Sequence, residues 1–207
     1  VFPVSIIGSS VLRQVAKDID KNYPELDKFI ENMFETMDKS DGVGLAAPQI
    51  GKSIRLFVID TSPMSEDDPS LINFRKVFIN ARIIERTGDF DIMEEGCLSI
   101  PGISEEVKRE TKIVIEYVDE NFEFHRDEYE GLAARVIQHE YDHLDGVLFT
   151  DRISPLRKKL IKGKLLAISK GKFEAKYKFK LQEKKRTWTW LIKDYEFMTI
   201  CNPSFLS

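Results

Sequence analysis

Gly131-Leu132-Ala133-Ala134-Arg135-Val136-Ile137-Gln138-His139-Glu140-Tyr141-Asp142-His143-Leu144 is the stretch from which the rest of the chain is read. It holds no interior Gly or Pro, is built of good helix formers and stops at Asp145-Gly146, so it predicts a helix central to the fold. Residues four apart on a helix lie roughly 40° apart around it and about 6 Å apart along it, so the imidazoles of His139 and His143 can reach one metal ion. Glu140 stands about 100° from His139, close to such an ion but poorly placed to bind it alongside both histidines. A general base for a water on the metal belongs there. Two of the three histidines in the chain fall in this pattern.

Two ligands do not make a stable site. The extended protease pattern H-E-x-x-H-x-x-G-x-x-H fits as far as Gly146 and then meets Phe149 where a histidine is required. A downstream glutamate is equally missing, because residues 152–173 contain no Asp or Glu. The upstream candidates are His125 and Cys97. His125 lies in the alternating run Phe122-Glu123-Phe124-His125-Arg126, on the face of Glu123 and Asp127, and reads as a solvent-facing strand residue. Cys97 lies in Glu94-Glu95-Gly96-Cys97-Leu98-Ser99-Ile100-Pro101, a glycine-flanked turn where backbone can approach a site closely. A free cysteine on its own is most often buried and inert, but a histidine pair lacking its third ligand favours Cys97. A Cys/His/His set leaves a fourth position open for water, the mark of a catalytic metal. Cys97 as a nucleophile would leave the histidine-glutamate pattern without a role.

Working outward, Pro24 and Glu25 open a helical pattern over about 25–39, with Leu26, Phe29, Ile30, Met33 and Met37 on one face. The glycine-rich loop Gly42-Val43-Gly44-Leu45-Ala46-Ala47-Pro48-Gln49 leads into a buried strand, Ile54 to Asp60. Residues 61–75 read as an exposed loop and Val77 to Ile84 as a second strand. Lys112–Val118 and Phe122–Glu128 alternate around Asp119-Glu120-Asn121 and predict a hairpin. Pro155 opens another helix, with Leu156, Leu160, Ile161 and Leu165 on one face and a basic face opposite. From Glu174 the period changes to two, Tyr177, Phe179 and Leu181 alternating with lysines. The expected fold is a single α+β domain: mostly antiparallel sheet around the central helix, then a C-terminal helix and tail.

The 207 residues suffice to bury roughly 70% of the unfolded surface, so no disulfide or metal is needed merely to hold a core. No run approaches the roughly 20 apolar residues of a membrane span. The cysteines are Cys97 and Cys201, which gives no disulfide framework and fits a reducing compartment. The net charge of −4 conceals an asymmetry. Residues 1–156 carry 17 Lys/Arg against 31 Asp/Glu, and residues 157–207 carry 14 against 4. A basic C-terminal part on an acidic body suits a polyanionic partner, and equally a solvated helix.

Three motifs together resemble the peptide deformylases: residues Gly42 to Gln49, Glu95-Gly96-Cys97-Leu98-Ser99, and Gln138-His139-Glu140-Tyr141-Asp142-His143-Leu144-Asp145-Gly146. The resemblance runs from about residue 3 to about 180, which divides the chain into a catalytic domain, 1–180, and a C-terminal extension, 181–207, outside the family pattern. It implies removal of formate from the N-formylmethionine of newly made proteins. By that pattern Cys97, His139 and His143 bind a divalent metal, natively ferrous iron and replaceable by zinc, nickel or cobalt. Glu140 would take the proton of the attacking water and return it to the leaving amine. The Gln49 side chain and the Leu98 N–H would stabilise the oxyanion, Gly44 would contact the peptide backbone, and Val43, Leu132 and Val136 would line the methionine pocket. Arg135 receives no role. The resemblance further suggests ribosome docking through the basic C-terminal helix. The lack of an Arg/Ser-rich leader fits a bacterial cytoplasmic protein. The competing reading from another class is a non-catalytic, metal-stabilised module that docks RNA; it needs a fourth protein ligand to close the metal, and the sequence offers none.

Overall fold

The computed structural model describes residues 1–65 and 71–182. The sequence-expected extension beyond residue 182 and the middle of the 61–75 loop lie outside the described residues.

Strand β3 (Leu56–Asp60) explains the layering. Its side chains alternate between two apolar clusters: Phe57 and Ile59 face one, Leu56 and Val58 the other. A strand covered on both faces reads as an unbroken apolar run, which is why the sequence marks it so clearly. Helix α1 (Leu26–Asp38) covers one face with Phe29, Ile30, Met33 and Met37, the face expected from their spacing. Helix α2 (Gly131–Leu144) covers the other with Ala134, Val136, Ile137, Tyr141 and Leu144. The five-stranded sheet is antiparallel throughout, in the order β2 (Gly44–Ala46), β3, β4 (Arg75–Gly96), β5 (Ser104–Val118) and β6 (Phe124–Glu130). The expected α+β class, central helix and 119–121 hairpin are all present.

Two strands are much longer than the sequence suggested. β4 continues 12 residues past Ile84, and β5 starts at Ser104 rather than Lys112. The outer part of β4, Ile84–Ile92, is exposed at every position, so it carries no alternation to read. The early part of β5 does alternate, but two inward positions are Glu105 and Arg109, both buried, so the period survives while the hydropathy does not. Glu94 to Gly96, read as part of a turn, are the last residues of β4, and the turn proper begins at Cys97.

After α2, the short helix α3 (Phe149–Arg152) leads to α4 (Pro155–Ser169). The face assigned to α4 needs correction. Ile161 and Ile168 are buried and Leu165 packs beside them, whereas Leu156 and Leu160 are 68% and 63% exposed. Ile161 and Ile168 are two turns apart and share one side of the helix, while Leu156 and Leu160 lie on another. The chain then returns to the N-terminus, where β7 (Phe179–Lys180) pairs in parallel with β1 (Val4–Ser5). Of the alternating C-terminal run, only these two residues are ladder-paired, and Phe179 and Leu181 remain 40% and 36% exposed.

Candidate metal centre and active site

α2 carries both histidines into the interior, with 11 of its 14 residues buried. Its end is fixed sterically: Gly146 has φ +71°, and a Cβ there would stand 2.8 Å from the Arg13 carbonyl, so only glycine lets the N-terminal arm cross. Cys97 arrives from the opposite side, on the turn after β4. Three successive carbonyls of that turn are tied down. Cys97 O accepts from Ile100 N at 2.8 Å, Ser99 O from Ile7 N at 2.8 Å, and Leu98 O from the Tyr177 hydroxyl at 2.6 Å.

One ligand atom from each of Cys97, His139 and His143 lies within 4.8 Å of the other two. Cys97 Sγ is 3.4 Å from His143 Nε2, and the two rings stand 5.3 Å apart at 73°. His139 Nδ1 is 2.9 Å from Glu95 Oε2, which makes Nδ1 the donor and leaves Nε2 for an ion. The fit to a metal is good: one thiolate and two imidazoles are the donors a first-row transition ion prefers, and three protein ligands leave a position open. Burial tends to strip the His139 proton, yet its contacts with Cys97 and Glu95 hold it well above the usual histidine value. The cluster therefore favours positive charge at its centre, which a divalent ion would supply instead. Burial, with the charge of His139 beside it, pushes His143 well below the usual value, so it is a neutral imidazole suited to ligation.

Glu140 is 4% exposed, and its Oε2 has no hydrogen-bond partner among the described residues. Burial pushes its carboxyl up to about 7, between acid and base at neutral pH. Gln49 is buried; its Oε1 accepts from Ala46 N at 2.7 Å, which turns Nε2 toward Cys97 Sγ, 3.5 Å away. A cavity of about 990 Å³ opens over these groups, with Gln49, Cys97, Leu98, His139 and Glu140 on its wall. Val43, Gly44, Leu132 and Val136 line it as well, and Val43 and Val136 belong to the apolar cluster under the sheet. His143 stands behind this wall, buried. The structure thus gathers every residue singled out for the site and excludes His125, whose Nε2 pairs with Asp119 at 2.8 Å while its ring stacks on Tyr117.

The sequence did not reveal the support beneath the ligands. Arg109, 1% exposed, donates two bonds to Glu95, at 2.6 and 2.8 Å, and one to Asp142 at 2.8 Å. Arg135, unassigned from sequence, adds a bond of 3.0 Å to Glu95 and reaches the carbonyls of Val107 and Asp91. Burial alone would raise the Glu95 carboxyl, but Arg109 and His139 hold it far below the usual range, so it is ionised and can orient His139. The available signal was the unexplained charge within apolar surroundings, Arg135 inside the helix and Arg109 at an inward strand position.

A family model described as Polypeptide deformylase matches residues 1–159. Among curated proteins, the chain is 51% identical over 193 residues to a peptide deformylase of Christiangramia forsetii, covering 90% of this chain and 98% of that one. A peptide deformylase of Flavobacterium psychrophilum is 49% identical, with 90% and 100% covered. Among solved structures, peptide deformylase from Thermotoga maritima superposes with a TM-score of 0.67 at 45% identity, covering 74% of this chain and 98% of that one. A Legionella pneumophila peptide deformylase gives 0.71 at 36%, covering 82% and 96%.

Proposed function

The chain belongs to the polypeptide deformylase family, and from that premise we propose how its own residues divide the work. It is a metal-dependent hydrolase that removes the formyl group from the N-terminal formylmethionine of newly made polypeptides. The RNA-docking, non-catalytic alternative finds no support among its relatives.

In the proposed assignment, Cys97, His139 and His143 hold a divalent ion, ferrous iron in the native enzyme. Bound there, the metal supplies Lewis acidity, polarising a carbonyl oxygen and easing deprotonation of water at neutral pH. Glu140 accepts the proton of the attacking water and then donates it to the departing amine; its burial and raised pKa suit both tasks. Gln49 Nε2, held by the Ala46 bond, and the Leu98 N–H donate to the oxygen on which negative charge develops. Gly44 meets the peptide backbone, and Val43, Leu132 and Val136 receive the methionine side chain.

The catalytic unit is proposed to span residues 1–180, which the β1–β7 pairing supports by joining its two ends. The exposed Lys159, Lys162 and Lys164 make no ion pair among the described residues, which favours docking of α4 on ribosomal RNA. Among the described residues no helix is long and apolar enough to cross a membrane. Action on nascent chains favours a bacterial cytoplasmic location.

The observation that carries the assignment is the buried Glu140 Oε2, without a hydrogen-bond partner among the described residues, beside the Cys/His/His cluster. Glu140→Gln should keep its metal and lose about 10²–10⁴ in formate release from a formyl-Met peptide, with an acetyl-Met peptide as control. A Glu140→Gln enzyme with parental turnover and full metal content would remove Glu140 from the chemistry.

A further inference from the structure

The match to the family model ends at residue 159, the curated relatives continue beyond it, and one wall of the cavity is built from those later residues. After α4 the chain runs back over the site, and Phe173, Ala175 and Tyr177 are half-buried while Glu174, Lys176 and Lys178 face solvent. Both flanks of this crossing are fixed. Phe173 packs on the apolar cluster that Cys97 also joins, and Val4 N and Ile6 N donate to the carbonyls of Lys178 and Lys180 at 2.9 and 3.0 Å. Between these anchors the Tyr177 hydroxyl donates to Leu98 O at 2.6 Å.

We propose that Tyr177 is a positioning residue for the reaction: through its bond to the Leu98 carbonyl it fixes the turn that presents the Cys97 sulfur and the Leu98 N–H to the reacting centre. The Cys97 and Ser99 carbonyls are held by Ile100 N and Ile7 N, so the carbonyl between them is the one whose orientation depends on a side chain. The Ile100 bond lies within the turn, whereas the Tyr177 bond ties the tip of the turn to the segment that crosses it. Without the hydroxyl the tip is free to shift as a unit, carrying the Leu98 N–H and the neighbouring Cys97 sulfur with it. A misplacement of this kind costs rate rather than binding, because neither group grips the methionine or the peptide backbone.

The inference rests on the assignment of Cys97 and Leu98 given above. The test uses the full chain loaded with cobalt(II), whose thiolate charge-transfer absorption reports the metal–sulfur geometry. In Tyr177→Phe, kcat for a formyl-Met peptide should fall roughly tenfold, the effect of one hydrogen bond expressed in the transition state, with KM within about twofold. The thiolate band should shift. Parental kcat or an unmoved band would overturn the proposal, whatever the change in melting temperature, since a purely structural tyrosine moves only the latter. Tyr177→Leu, which also lacks the hydroxyl, carries the same two expectations should the phenylalanine variant not fold. Glu140→Gln measured alongside separates the two readings. If it remains active the site assignment fails, and if it is inactive while Tyr177→Phe matches the parent only the positioning role fails.

Discussion

A Cβ added to Gly44 would stand 2.6 Å from Glu140 Oε1 and 2.7 Å from its Cγ, so strand β2 and helix α2 touch at the carboxylate itself. Gly44 is thus a glycine because its neighbour is the proposed proton carrier. Gly44→Ala must push Glu140 aside, while Cys97, His139 and His143 stand elsewhere. The expected result is a chain with full metal content whose formate release is down about 10²-fold, the usual consequence of a misplacement near 1 Å. Metal analysis beside kinetics checks it, and unchanged turnover would mean the carboxylate tolerates displacement. At this scale the sequence was most informative where chemistry is local: His139, Glu140 and His143 fall within five consecutive residues of one helix, and that spacing alone brings them together. Glu95 was not legible, because its partner Arg109 is 14 residues away and meets it only across the β4–β5 ladder.

The same arginine is what joins the elements. Arg109 on β5 binds Glu95 on β4 and Asp142 on α2, so one side chain fastens the ribbon carrying Cys97 to the helix carrying both histidines. Arg109→Met keeps most of the volume but strips Glu95 and Asp142 of a shared counter-ion. Each carboxylate keeps another partner, Arg135 for Glu95 and Arg152 for Asp142. The cost should therefore fall near the lower end of the range for breaking a buried ion pair, about 3 kcal/mol. Urea unfolding measures it, and a loss well under about 1 kcal/mol would show that the remaining arginines suffice. The elements legible from sequence were α1, by its apolar face, β3, by its unbroken apolar run, α2, by its helix formers and its Asp145-Gly146 stop, and the β5–β6 hairpin, by its alternation. The outer half of β4 was illegible because it is stabilised by its ladder to β5 rather than by a buried face. The α4 register was misread because apolar residues occur on both its sides and only tertiary packing selects between them.

Outside the site, where Glu140 is shifted upward, carboxylates on different elements share one bias. Burial favours the protonated form of Asp60, Asp127 and Asp151, yet their hydrogen bonds outweigh it and the net shift of each is downward. For Asp151 the bonds come from Arg13, the Leu148 N–H and Lys158, tying the N-terminal arm to the start of α4. A group whose folded pKa lies below its unfolded value binds fewer protons when folded. Its contribution is full above the unfolded value, about 4, and is lost as pH falls through the lower folded value. Self-repulsion of the acidic body works the other way, since acidification relieves it, but that repulsion acts between exposed charges and is screened at about 0.15 M salt. The bonded carboxylates should therefore decide the outcome. Between neutral pH and about 4 the raised Glu140 gains stability on protonation while the depressed His143 loses it, so the two oppose each other, and the melting temperature is expected to fall steeply only below about 4. Asp151→Asn should start lower at pH 7 and lose less on acidification, because its share is already gone. Scans at two salt concentrations separate the two effects: a melting temperature that rose below pH 4 in high salt would mean that repulsion within the acidic body, and not these hydrogen-bonded carboxylates, governs the acid limb.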